Sequence, residues 1–155
     1  MIPVKDIELK KGQSVNDLVK QFHGAGGFSA KKVADGVDIL EIMFKDKVCK
    51  RILSLPAAPI STGMRGVVKD LVKNKLVDCV ITTCGLLDHD FAKVWKDYFH
   101  GDFAMDDIEL HKKGVYRLGN ILIPKDNYGS ILEDKVQPVL EKLYAKGVRQ
   151  ISTKD

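Results

Sequence analysis

Between Arg51 and Thr83 the chain passes through an apolar segment, a stretch of small residues, an amphipathic helical pattern and a second apolar segment. This succession restricts the fold more than any other feature. Arg51-Ile52-Leu53-Ser54-Leu55, halted by Pro56, has the length and bounding residues of a buried strand. Pro56-Ala57-Ala58-Pro59-Ile60-Ser61-Thr62-Gly63 then reads as a loop, after which Met64, Val67, Val68, Leu71 and Val72 recur at helical spacing. Ser61 or Thr62 is available to cap that helix. Val77-Asp78-Cys79-Val80-Ile81-Thr82-Thr83 is β-branched and largely apolar, as strands covered on both faces are. Two strands joined by a crossover helix make a βαβ unit, whose strands run parallel. The class is α/β.

Elements of both kinds flank this unit. Ser14 is placed to cap a helix with Asp17 in its first turn and Val15, Leu18, Val19 and Phe22 on one face. The glycines of His23-Gly24-Ala25-Gly26-Gly27 end it. Ser29 then caps a second helix built on Val33, Val37, Leu40 and Phe44. Asn120-Ile121-Leu122-Ile123-Pro124 reads as a further strand continuing the alternation, and a final helix is expected from about Leu132 to Ala145, where Pro138 fits only with a kink. No internal repeat or linker divides the sequence, so residues 1–155 are expected to form a single domain.

Composition excludes several classes. With 45% apolar and 30% charged residues and no low-complexity stretch, the chain has the makeup of a folded protein. Its apolar runs fall far short of the roughly 20 residues a membrane span needs. Met1 leads into Ile2-Pro3-Val4-Lys5-Asp6 without the pattern of a secretory leader, so the expected location is cytoplasmic. Cys49, Cys79 and Cys84 are odd in number and lack C-x-x-C spacing, which suggests neither a disulfide framework nor a zinc site and suits a reducing compartment. The net charge of +4 comes from lysines scattered among acids, with only four arginines, and gives no grounds for a nucleic-acid surface.

Parallel sheets bind ligands beyond the carboxyl ends of their strands, where backbone N–H groups and helix amino-termini meet anions. Two segments occupy that position. One is Pro56 to Gly63, whose small residues let a ligand approach the backbone, although by itself it reads more simply as a tight turn before a helix. The other is Thr82-Thr83-Cys84-Gly85-Leu86-Leu87-Asp88-His89-Asp90, with hydroxyls, a glycine and ionisable groups directly after a strand. A G-x-G-x-x-G fingerprint is absent, and His23-Gly24-Ala25-Gly26-Gly27 follows a helix rather than a strand, so it reads as a helix end. Asp88, His89 and Asp90 are adjacent and rarely would converge on one metal ion; solvated side chains or a grip on an ammonium group suit them better. Cys84 reads as a structural thiol and Trp95 and Tyr98 as packing residues. His100, Asp102, Asp106, Asp107, Glu109 and His111 read as a helix start on the surface.

Read together, Gly26-Gly27-Phe28, Ser61-Thr62-Gly63-Met64-Arg65, Val77 through Gly85, Leu87-Asp88-His89-Asp90, Gly101-Asp102-Phe103, Arg117-Leu118-Gly119-Asn120 and Pro124-Lys125-Asp126-Asn127-Tyr128 resemble the deoxyhypusine synthase family, its archaeal members most. The resemblance implies an enzyme that uses NAD to oxidise spermidine, passes the aminobutyl group to an enzyme lysine, and delivers it to a lysine of the translation initiation factor five-A precursor. It assigns NAD contacts to Ala57, Ala58, Pro59, Ile60 and Ser61 and to Thr83, Cys84 and Gly85. The acidic pair that the family's eukaryotic members carry near NAD and spermidine falls on Asp88 and His89, so a histidine stands for the second acid. The implied architecture is a Rossmann-like parallel sheet flanked by helices and completed by a carboxyl-terminal half.

The family's reactive lysine lies in a carboxyl-terminal segment that no stretch of this chain resembles, and the resemblance ends at about Ser152-Thr153-Lys154-Asp155. No lysine here is therefore expected to be catalytic. Either the enzyme is made of two polypeptides or this is a piece of a longer one. The first reading is favoured: a separate chain carrying the carboxyl-terminal half completes a hetero-oligomer resembling the family's tetramers. A non-catalytic subunit activating a full-length synthase, and an enzyme of the homospermidine synthase kind, are the alternatives. The partner's sequence separates the first alternative from a composite site.

Overall fold

In the computed structural model, which describes residues 1–152, Ser14 opens helix α1 (Val15–Ala25) as its sequence pattern requires. Its Oγ accepts from the Asp17 N–H at 3.1 Å while the Ser14 N–H donates back to Asp17, a reciprocal cap. Gly26, left-handed at φ 61, closes the helix by donating to the Phe22 carbonyl. Helix α2 (Phe28–Lys45) begins before the expected cap: Gly27 holds that position without a side-chain bond, and Ser29 lies inside the first turn. The two-glycine turn is so short that the helix has begun before the serine is reached. The segment ahead of α1 lies along it, the Gln21 amide accepting from the Glu8 N–H and donating to the Glu8 carbonyl.

These elements form one of two compact units, Met1–Arg51. Its core is thin. Ala34 is the side chain that α2 buries, whereas Val33, Val37, Leu40 and Phe44 remain 39–50% exposed.

The second unit starts at Ile52. Strand β1 (Ile52–Leu55) pairs in parallel with β2 (Cys79–Thr82), Ile52 opposite Cys79 and Leu55 opposite Thr82. The crossover carries two helices, because the stretch read as a loop contains a helical turn, α3 (Ala58–Ser61). Proline is tolerated in a first turn, where its missing N–H has no helical acceptor; the Ile60 and Thr62 N–H groups close the turn onto the Ala57 and Ala58 carbonyls. Ser61 and Thr62 do not cap α4 (Arg65–Lys73): both hydroxyls turn back to the Ala58 carbonyl, at 2.7 and 3.0 Å, which the extra turn brings nearer than the α4 amides.

After β2 the chain enters helix α5 (Gly85–Trp95) where the sequence suggested a loop. Strand β3 (Phe99–His100) and helix α6 (Asp107–Lys112) follow; Asp106 caps α6 as the expected helix start requires, whereas His100, read as part of that start, lies in β3, and Asp102 precedes the cap. Strands β4 (Val115–Leu118) and β5 (Ile121–Pro124) form an antiparallel hairpin around Gly119-Asn120, with Gly119 at φ 63. The β5 strand therefore does not continue the parallel alternation: a two-residue connection admits only antiparallel pairing, and β5 lies between β3 and β4 in a separate sheet. A short 3-10 turn, Lys125–Asn127, leads into helix α7 (Gly129–Ala145), which starts ahead of Leu132 and accommodates Pro138.

The α/β class and the parallel sheet flanked by helices thus hold. Among the described residues, the buried apolar side chains of this unit are Ile60, Ala92, Leu110, Ile123 and Ile131. The chain exposes 12169 Å². Two separate compact bodies of one third and two thirds of its mass would together expose only about 9,300 Å². Apolar surface is left open wherever the units sit, including Ile52 (60%) and Ile81 (56%) on the parallel strands. No helix among the described residues is long and apolar enough to cross a membrane.

Candidate functional site

The carboxyl ends of β1 and β2 feed directly into α3 and α5, so the two segments singled out in the sequence lie side by side. Gly85, the first residue of α5, approaches Ala57 so closely that a methyl at position 85 would lie 3.1 Å from the Ala57 Cβ. Two ties from α5 fix the arrangement. Lys93 donates to the Ile60 and Ser61 carbonyls at 3.0 and 3.4 Å, meeting the carboxyl-terminal end of α3 with a cation. Arg65, at the start of α4, pairs with Asp90 at 2.5 Å and donates to the Asp90 and Lys93 carbonyls. Burial, then the nearby Arg65 charge, lower the Lys93 pKa from its ordinary value.

The sequence-derived residues divide by accessibility. Ala57, Ala58 and Pro59 are partly or fully exposed, as are Thr83, Cys84 and Gly85. Ile60 and Ser61 are 2% and 3% exposed, and the Ser61 hydroxyl is engaged by the Ala58 carbonyl. Cys84 holds the cap position of α5 with its thiol free.

Asp88 closes the first turn of α5 and His89 opens the second, and both are half-buried. They meet two tyrosines from outside that helix. The Tyr128 hydroxyl donates to Asp88 Oδ2 at 3.4 Å, and its ring lies 5.0 Å from the His89 ring at a 31° tilt. Tyr98 stands edge-on to His89, hydroxyl 2.9 Å from Nδ1. Burial holds the His89 pKa below its ordinary value, and it pushes the Tyr98 phenol up to about 12. Burial also raises the Tyr128 phenol, with Asp88 adding to it. His89 and Tyr128 line a cavity of about 670 Å³ with Tyr116, Leu118, Ile123 and Glu133. Among the described residues no three His, Cys, Asp or Glu side chains are grouped to hold a metal ion.

Sequence reasoning gave no role to Lys93 or to Tyr128, although Tyr128 ends one of the segments that carry the family resemblance, and it took Tyr98 for packing alone. The unrecognised helix is the reason: once Gly85–Trp95 is helical, Asp90 and Lys93 fall on one face and His89 and Lys93 one turn apart. Tyr98 and Tyr128 are brought to His89 by tertiary folding, which no spacing along the chain announces.

Comparison with known proteins gives the arrangement a family context. The family model for deoxyhypusine synthase matches residues 17–155. A curated protein named "Probable deoxyhypusine synthase" from Picrophilus torridus is 48% identical over 142 residues, or 92% of this chain and 45% of that protein. Proteins of the same name from Thermoplasma acidophilum and Aeropyrum pernix are 46% and 39% identical, with 93% and 96% of this chain matched to 46% and 47% of theirs. The chain spans about half the length of the curated relatives it matches. Thr153, Lys154 and Asp155, where the resemblance was expected to stop, lie outside the described residues.

Proposed function

Because this chain belongs to the deoxyhypusine synthase family, we propose that residues 1–155 act together as the amino-terminal half of a composite deoxyhypusine synthase. In this reading NAD lies across the ends of β1 and β2, spermidine lies near Asp88 and His89, and a separate chain with the carboxyl-terminal half brings the reactive lysine. The acceptor is a lysine of the translation initiation factor five-A precursor, and the assembly is a cytoplasmic hetero-oligomer.

The observation that carries the reading is the contact between the two segments that the family resemblance assigns to NAD, Gly85 against Ala57. The fit is chemically sound. Small residues at 57–59 and 83–85 leave the backbone approachable, and the amino-terminus of α5 carries a partial positive charge suited to a pyrophosphate. Bound there, NAD supplies the hydride acceptor for amine oxidation. The remaining work falls to the chain. Ile60 and Ser61 hold the α3 turn from beneath, and Lys93 ties its end to α5, so the two segments keep their separation. Asp88 offers a carboxylate to an ammonium group. The need for a partner is supported by the open surface: β1 and β2 form a two-stranded parallel sheet, an arrangement that is otherwise buried within larger sheets.

Mixing the chain with a carboxyl-terminal half, NAD, spermidine and the acceptor protein should release 1,3-diaminopropane. No release from a purified complex of both chains would overturn the proposal. Release by the partner alone would make this chain an activator.

A further inference from the structure

We propose that Tyr98 and Tyr128 are positioning residues that fix His89 as a neutral hydrogen-bond donor beside Asp88, so the pair offers a ligand one negative charge and one N–H. The idea rests on the reading above only for the ligand it names.

The contact between His89 and Tyr98 admits two arrangements, Nδ1–H donating to the Tyr98 oxygen or the Tyr98 hydroxyl donating to Nδ1. Only the second gives the phenol hydrogen an acceptor among the described residues. Nδ1 of His89 lies 2.9 Å from the Tyr98 hydroxyl. That hydroxyl keeps its hydrogen, since burial pushes its pKa to about 12, and among the described residues Nδ1 is the acceptor in reach. A neutral imidazole whose Nδ1 accepts carries its proton on Nε2. The Tyr128 ring covers one side of the imidazole, and its hydroxyl binds Asp88 Oδ2, so a single residue orients both members of the pair. The charged groups around the imidazole act in opposite senses: Asp88 on α5 favours protonation and Lys93 opposes it, while burial outweighs both. Arg117, Lys125 and Glu133 line the cavity that His89 borders.

Two carboxylates would suit two ammonium groups. One carboxylate and one Nε2–H suit a polyamine with one ammonium and one unprotonated amine, because the latter brings a lone pair to accept the N–H. Oxidation at the carbon next to an amine requires an unprotonated nitrogen, so a site of this kind selects the reactive protonation state of its substrate, the N–H releasing the lone pair as the C=N bond forms and the hydride leaves.

Nitrogen-15 NMR of the histidine-labelled full chain reads the tautomer directly, without NAD, partner or substrate. The expected result is an Nε2–H imidazole for His89 at neutral pH and a mixed tautomer in Tyr98→Phe. An Nδ1–H tautomer, an imidazolium at neutral pH, or an unchanged tautomer in Tyr98→Phe overturns the proposal; the unsubstituted chain alone decides it if the variant does not fold. In the assembled enzyme Tyr98→Phe should raise KM for spermidine by about 3–10-fold, as expected for one lost hydrogen bond, with little change in kcat. A fall confined to kcat contradicts the positioning role. Absence of turnover in every assembly would sink the composite-synthase reading and leave the tautomer result standing.

Discussion

Gly85→Ala separates the demands of folding from those of ligand binding at the junction of the two strand-end segments. The added methyl would lie 3.1 Å from the Ala57 Cβ, so one of the two segments must yield by a few tenths of an ångström. Two stability effects oppose each other. Alanine is favoured over glycine in a helix by up to about 1 kcal/mol, less at a first position. Overpacking costs about 1–3 kcal/mol, and the low end applies because Ala57 is not fully enclosed. The net change should stay within about 1 kcal/mol, a melting shift of less than about 4 °C. Ligand geometry has no such compensation. Weakening one backbone hydrogen bond to the ligand costs about 0.5–1 kcal/mol, so the shift should weaken NAD binding roughly 2–5-fold. Calorimetric titration with NAD of the chain mixed with the proposed carboxyl-terminal half, alongside circular-dichroism melts, measures both quantities. Gly85→Ala combined with Ala57→Gly should recover the affinity. Affinity unchanged in the single variant, or loss persisting in the double one, would refute the reasoning.

Two further outcomes follow from side chains already placed. His89 has its pKa held below 6.5 by burial, so the unfolded chain binds protons more readily; stability present above pH 6.5 is lost as pH falls through the folded-state pKa. Urea midpoints at about pH 7.5 and about pH 5.5 should therefore diverge less in His89→Gln than in the unsubstituted chain, and equal divergence removes His89 as the cause. Asp106 accepts from the Ile108 and Glu109 N–H groups at 2.8 and 3.3 Å, so Asp106→Ala should cost about 1 kcal/mol in urea unfolding while Asp106→Asn retains most of it.

Local chemistry settled much of the chain in advance. The Ser14 and Asp17 pair specifies where α1 starts, because both partners lie within one turn. Gly26 specifies where it stops, because the left-handed conformation is open to glycine. The alternation from Ile52 to Thr82 demands a parallel pair, since no short turn joins its strands. What the sequence withheld depends on contacts between distant residues. Gly85 to Trp95 resembles a strand-end loop until the helix is seen, because its glycine and acids suit both. Which face of α2 packs could not be read from Val33, Val37, Leu40 and Phe44, since periodicity marks a stripe and not its partner. The two strand-end segments were visible because each directly follows a strand, but their closeness at Gly85 and Ala57, and the meeting of Tyr98 and Tyr128 over His89, were decided by tertiary structure alone. Side chains separated by 9 and 39 positions share no local constraint, and only folding brings them within hydrogen-bonding or stacking distance.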